Sequence, residues 1–317
     1  MKLFLTGATG FIGSQLARRL VAEGHDLAIV VRPDSKLDIL RTVLPQIHVH
    51  VCDGSYASLV SALEAAQPEL ICHVASLFLA QHKPEDVARL VESNLNFPAQ
   101  LLEAMNQLGI KRLINTGTSW QHYKNDAYNH VNIYASTKQA FESLLAYYVE
   151  AQDFKAITLK LFDTYGPGDT RPKLFSLLRK TARTGEPLRM SPGEQLLDLV
   201  YIDDVLDAFL LAMARLSEVK KSESYAVSSP ERLSLRELTK IYSETVGRPV
   251  PVEWGGQPYR LREVLTPWQP TVRLPQWEAS VRLPDGIRRM EQDVGVNGLL
   301  ALGPGGVRCA FVGTCQS

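Results

Sequence analysis

Residues 6–13 read TGATGFIG, between the β-rich run KLFLT and a stretch of helical apolar spacing that begins at Phe11. A strand that turns through glycines straight into a helix commits the chain to a β-α order, and hence to neighbouring strands that run parallel. Gly7, Gly10 and Gly13 form a GxxGxxG spacing, with Phe11 and Ile12 before the last of them. Glycine suits these positions for a tight turn, for close approach of backbone to a pyrophosphate, and for close helix–strand packing. The helix start then offers unpaired N–H groups to an anion. A glycine triplet alone marks only a tight turn. The strand before it, the helix after it and a second strand at the right distance together point to a dinucleotide site.

The rest of the first two thirds keeps the same alternation. Strand candidates are 2–6, 26–31, 46–51, 69–75, 112–118 and 156–162, several of them near-continuous apolar runs of the kind that helices cover on both faces. Helical periods fill the gaps at 11–24, 86–109 and 140–152. The expected fold class is α/β, a doubly wound parallel sheet of the Rossmann kind with a smaller, discontinuous C-terminal substrate lobe. Residues 1–164 form the dinucleotide-binding domain in this reading, with 196–230 returning to it. Residues 165–195 and 231–288, punctuated by Gly and Pro as in YGPGDTRPK and GRPVPVEWGGQPY, form the lobe. From about 289 to 317 the Gly-rich sequence lacks periodicity and reads as a disordered tail.

Lys+Arg and Asp+Glu both number 34, so net charge gives no argument for nucleic acid or an anionic membrane. The four cysteines show no metal spacing, and Cys52 and Cys72 fall in apolar strand-like runs, where cysteine behaves as a small buried hydrophobe. No metal site is expected. Asp203 and Asp204 in YIDDV read better as a strand-to-helix cap than as a metal pair. With no signal peptide and no apolar stretch long enough to span a bilayer, a reduced cytoplasmic protein is expected.

At the end of the second strand, VVRPDSK places Arg32 where a carboxylate would select ribose hydroxyls and an arginine would accept a 2′-phosphate. Arg32, helped by Ser35 or Lys36, therefore points to NADP(H), Asp34 keeps NAD(H) open, and a solvated loop arginine is the alternative. Two readings stand for Asp53 in VCDG, an acceptor for the adenine amino group or an ordinary helix cap. Downstream, VNIYASTKQA sets Tyr134 and Lys138 one helical turn apart on one face. Most such pairs do no chemistry. Here NTGTSW ends the fifth strand and brings Thr118 or Ser119 to the carboxyl edge of the sheet, where open α/β folds bind ligands. A nearby ammonium would pull the Tyr134 phenol towards the working range for proton transfer to a carbinol oxygen.

TGATGFIG, HVAS (73–76), NLNFPAQLL (94–102), NTGTSW, YASTK, LKLFDTYGPGD and LVYIDDV follow one another as in the extended short-chain dehydrogenase/reductases. Over about residues 1–288 the chain resembles their nucleotide-sugar epimerases, dehydratases and 4-ketoreductases, and most of all the CDP-abequose-synthase type of 4-ketoreductase. The resemblance implies Thr118, with Ser119 adjacent, Tyr134 and Lys138 as the catalytic group. It implies Gly7, Gly10, Phe11, Ile12, Gly13, Asp53, Gly54, the backbone around Ala75, Asn94 and Phe162 along the cofactor, which Tyr134 and Lys138 also touch. Phe162 and Asp163 would continue the pocket. Trp120, His122, Tyr165, Lys173 and Arg260 fall on the sugar-nucleotide side, where a loop role for His122 and Tyr123 and a core role for Trp120 are equally open. A homodimer through the helix that carries YASTK is also implied, with burial of that helix inside one chain the alternative.

Two positions depart from that pattern. The dehydratases carry an Asp-Glu pair where this chain has Ser119 and Trp120, so elimination of water lacks its acid and base. Leu197 stands before Asp198 where relatives often have Arg. The expected activity is an NADP(H)-preferring reduction of a nucleotide-activated 4-keto-deoxysugar at C4, in O-antigen or polysaccharide biosynthesis. The alternatives are a 4-epimerase with tightly held cofactor and a non-catalytic dinucleotide sensor.

Overall fold

In the computed structural model, which describes residues 1–171 and 173–300 (293–300 by backbone alone), the apolar runs of the first half become the centre of one sheet. The strands are β1 (Lys2–Thr6), β2 (Asp26–Val31), β3 (Ile47–Val51), β4 (Leu70–His73), β5 (Arg112–Thr118), β6 (Lys155–Leu161), β7 (Asp163–Tyr165), β8 (Leu188–Met190), β9 (Leu196–Tyr201), β10 (Ser222–Val227), β11 (Arg232–Ser234) and β12 (Val252–Trp254). The large sheet has the order β10-β6-β5-β4-β1-β2-β3, and every neighbouring pair is parallel. Successive residues of a strand point to opposite faces. Accordingly Leu3, Leu5, Leu27, Ile29, Leu70 and Cys72 enter one apolar layer, and Phe4, Ala28, Val30 and Ile71 enter the other.

Helices α1 (Phe11–Ala22) and α7 (Ile202–Arg215) cover the first face. The second is covered by α2 (Tyr56–Ala66), α4 (Phe97–Gln107) and α5 (Ile133–Ala151), with α3 (Asp86–Val91) beside α5. Segment 196–230 thus supplies a covering helix and an edge strand to the large sheet. Cys52 and Cys72 are buried and unpaired. No helix among the described residues is long and apolar enough to cross a membrane.

Three sequence expectations change. The fourth strand stops at His73 instead of reaching residue 75, because the Val74 and Ala75 N–H groups both turn to Thr6 Oγ1, at 3.2 Å each. The single helix expected over 86–109 is broken by a π turn at Glu92–Asn96, between α3 and α4. Pro98 lacks the N–H that would bond the carbonyl four residues back, and its ring crowds that carbonyl. The wider turn, with the Phe97 N–H bonded to Glu92 O, relieves both problems.

The third change concerns the tail. α9 spans Leu283–Leu300, so the chain is helical well past residue 289. Met290 is buried, and Glu291 accepts hydrogen bonds from Arg179 Nε at 2.9 Å and Tyr242 Oη at 2.8 Å. These contacts dock α9 on α6 (Leu174–Thr184) and α8 (Leu235–Val246), which with the short β8–β12 pair make up the smaller lobe. Residues 301–317 lie outside the described residues.

Candidate active site at the carboxyl edge of the sheet

The glycine loop connects β1 to α1, and its three glycines serve different ends. Gly7 has φ +77, and a Cβ there would lie 2.5 Å from Ala75 N. At Gly13 a Cβ would lie 2.1 Å from Gly7 O. Gly10 is exposed at the start of α1 with φ −85, and a Cβ there meets only Gly7 O, at 3.4 Å. Packing demands the first two, whereas Gly10 leaves open a cradle at a helix N-terminus. That cradle fits a dinucleotide pyrophosphate. Phe11 is nearly buried and Ile12 partly so, beside the cradle.

Arg32 stands one residue beyond β2, and its side chain is 80% exposed and paired at 3.4 Å with Asp34. Asp53 Oδ1 accepts from Ser55 N, Ser55 Oγ and Ser58 Oγ, which hold its carboxyl down to about 2. The cap of α2 is Ser55, and Asp53 instead braces the turn in which Gly54 takes φ +95. Ala75 lies against Gly7, held by its bond to Thr6.

Asn94, expected along the cofactor, is only 2% exposed and its amide is fully engaged by protein. Oδ1 accepts from Ser76 Oγ at 3.1 Å and Leu77 N at 2.7 Å, and Nδ2 donates to Leu77 O at 3.0 Å and Thr137 Oγ1 at 3.1 Å. With two donors and two acceptor sites used, the side chain has nothing left for a ligand. It ties the loop after β4 to α5.

α5 starts where sequence places it. Asn132 caps it by accepting from Ala135 N at 3.0 Å, and its amide donates to Leu79 and Ala80 carbonyls. One turn in, Tyr134 packs edge-on against Phe78 at 5.0 Å, and Phe78 in turn meets Trp120 at 5.5 Å. Lys138 is 3% exposed. Burial pushes the Tyr134 phenol up to about 12, against the opposing Ser76 hydrogen bond and the charge of Arg171. Burial also brings the Lys138 ammonium down to about 8, against the charge of Glu142. The expected depression of the phenol by Lys138 is not what this site does. Desolvation raises the phenol instead, so at neutral pH it keeps its proton.

Beyond Trp120 a cleft opens, lined by Ser119, Trp120, His122, Phe162, Asp163 and Arg260, with Trp268 as its far wall. Thr118 does not line it. Its Oγ1 caps the short helix at Ser119–Gln121 by accepting from Trp120 N at 3.3 Å. Phe162 stacks parallel to Trp268 at 6.0 Å, and His122 stacks on the same ring at 4.1 Å. Burial and the Lys160 charge depress His122 to about 4, so the neutral ring accepts from Lys160 Nζ at its Nε2, at 2.8 Å.

Arg260 lies over Trp120 and is held by Glu263, at 2.9 and 2.7 Å. Lys173 sits over Phe78 at 4.6 Å. Both, with Arg171, lie near Asp163, whose carboxyl is raised by desolvation against the opposing charge of these three cations. Tyr165 is a correction. At 3% exposure it is a core residue, stacked on Phe175 and edge-on to Tyr201, and it does not reach the cleft. Sequence reasoning also passed over Phe78 and Arg171. Arg171 is clamped by Asp169 and lies 4.7 Å over Phe11, a pairing that only the fold brings about.

The model of the NAD dependent epimerase/dehydratase family matches residues 3–228. A CDP-abequose synthase of Yersinia pseudotuberculosis is 27% identical over 272 residues, covering 84% of this chain and 92% of the relative. A probable UDP-glucuronate 4-epimerase of Rhizobium meliloti is also 27% identical, covering 82% and 79%. The crystal structure of a UDP-glucose 4-epimerase from Thermotoga maritima with UDP-glucose superposes with TM-score 0.80 at 21% identity, over 94% of this chain and 99% of that one. This last likeness concerns the fold.

Proposed function

Because the chain belongs to the NAD dependent epimerase/dehydratase family, we propose that it is an NADP(H)-preferring oxidoreductase that reduces a nucleotide-activated 4-keto-deoxysugar at C4. The observation that carries the reading is Tyr134 one helical turn from a buried Lys138 and linked through the Phe78 ring to Trp120, which lines the cleft together with Ser119. The nicotinamide, when bound, supplies the hydride to C4. Tyr134 gives its proton to the oxygen that gains charge at O4, so the carbonyl becomes a secondary alcohol. Lys138 stabilises the phenolate left behind, and Ser119 donates a hydrogen bond to the same oxygen.

A phenol at about 12 is a weak acid towards water but a competent one towards an alkoxide oxygen. Ser119 and Trp120 offer no acid–base pair for dehydration. Lys173, Arg171 and Arg260 suit a diphosphate, and exposed Arg32 suits a 2′-phosphate. The similarity to CDP-abequose synthases supports a keto-sugar substrate. The second reading, a 4-epimerase, is favoured by the UDP-glucose 4-epimerases among the relatives.

The test is incubation with stoichiometric NADPH and a panel of nucleotide 4-keto sugars. Loss of nicotinamide absorbance in proportion to product is expected. A parallel incubation with nucleotide 4-hydroxy sugars and catalytic cofactor tests the second reading, which interconversion of C4 epimers without net change in nicotinamide absorbance establishes instead. Tyr134→Phe is expected to lower turnover by about 10²–10⁴-fold with cofactor affinity unchanged. Unchanged turnover in that variant sinks both readings. Arg32→Ala is expected to weaken NADPH by about tenfold and spare NADH, as measured by fluorescence titration.

A further inference from the structure

Behind the cleft, between β5, β6 and α5, lies a buried polar cluster that the proposed reaction does not use. Gln121 is fully buried and its amide orientation is fixed by three bonds. Its Oε1 accepts from Thr118 N at 2.8 Å, and its Nε2 donates to Gln139 Oε1 and Glu142 Oε1, both at 2.8 Å. Glu142 Oε2 faces Lys160 Nζ at 3.5 Å, and Lys160 bonds His122. The cluster is packed so tightly that a Cβ on Gly117 would lie 2.9 Å from Gln121 Oε1 and 3.0 Å from Glu142 Oε1. Glu142 also follows Lys138 by one helical turn and Tyr134 by two, on one face of α5.

We propose that Glu142 is a positioning residue of the proton-transfer site: through Gln121 it pins the Thr118 end of β5 to α5, and it sets a carboxylate one turn behind the Lys138 ammonium. The inference rests on the proposed role of Tyr134 and Lys138. The charge of Glu142 opposes the burial that would deprotonate Lys138. The groups around Lys138 leave this task to Glu142. From β4, His73 is neutral, depressed by burial and by Lys138 itself, and its Nδ1 accepts from Thr6 Oγ1, which already accepts two backbone N–H groups. Tyr134, on the same helix, is protonated. From β6, Lys160 competes for the same carboxylate, and His122 behind it is neutral.

The test needs no substrate. The full-length protein is labelled with ¹³Cε-lysine, and Lys138 is assigned by its loss in Lys138→Met. Glu142→Gln keeps an acceptor for Gln121 but removes the charge, so the Lys138 midpoint is expected to fall by about one pH unit. Lys160→Met removes the competing cation and is expected to raise it. Glu142→Leu removes the acceptor as well, and exchange of the Thr118 amide is expected to quicken by about tenfold. Circular dichroism checks that each variant is folded. A Lys138 titration unmoved in folded Glu142→Gln, or Thr118 exchange unmoved in folded Glu142→Leu, overturns the inference. Because neither readout is turnover, that failure is separate from failure of the proposed reaction, which the Tyr134→Phe assay decides.

Discussion

Glycine is kept for two physical reasons, and the loop at 6–13 contains both. A Cβ on Gly13 would sit 2.1 Å from a carbonyl oxygen of the chain itself, and no rotamer relieves a backbone clash. Gly13→Ala is therefore expected to cost about 2–3 kcal/mol in urea unfolding. Gly10 has an ordinary backbone and room for a methyl, so Gly10→Ala is expected to stay within about 0.5 kcal/mol of wild type. The same methyl fills the cradle and is expected to weaken cofactor binding by about tenfold, measured by fluorescence titration. The spacing of the glycines was legible in the sequence; which one has open space beside it was not, since that depends on where the 74–75 backbone passes. Tyr134 and Lys138 teach a similar lesson. Their shared face follows from spacing alone, but their proton affinities follow from burial, and burial raised the phenol where the pair by itself would have lowered it.

At the scale of elements, the strand positions read from apolar runs hold to within a residue or two, except where a side chain diverts the backbone. Thr6 ends β4 early by taking two N–H groups, and Pro98 forces the π turn. The π turn rotates Asn94 into contact with both the loop after β4 and α5, and Asn94 holds the two together with four hydrogen bonds. Asn94→Ala leaves buried partners at Leu77 and Thr137 without their bonds and is expected to cost about 3 kcal/mol in urea unfolding. Cofactor binding is expected to suffer through displacement of the 74–78 loop and not through a lost contact. Sequence placed Asn94 at the site but could not distinguish a residue that touches a ligand from one that holds its frame.

For the whole molecule, stability follows pH through groups such as His122, which joins Lys160 of β6 to the Trp268 wall of the cleft. Its folded pKa, about 4, lies below the ordinary value of 6.5, so unfolding takes up a proton below about pH 6.5. The stabilisation is complete above that value and is lost as pH falls towards 4. Asp198 works in the opposite sense. Buried between β9, Ser228 and Arg232, its carboxyl is raised to about 6, and it favours the folded state as pH falls through the same window. The gap in urea stability between wild type and His122→Asn separates the two, and it is expected to be widest at about pH 7.5 and to narrow by about pH 5.

The order of strands and helices, the glycine turn, the tyrosine–lysine face and the hydroxyl after β5 were all determined by sequence. Each is a local pattern of period or spacing, and such patterns survive without knowledge of what packs against them. The tertiary structure alone decided that Tyr165 belongs to the core, that Arg171 reaches Phe11, that α9 docks through Glu291, and that Gln121 and Glu142 stand behind Thr118. Those facts are contacts between residues far apart in the chain, set by how helices lie on the sheet. No spacing along the sequence encodes them.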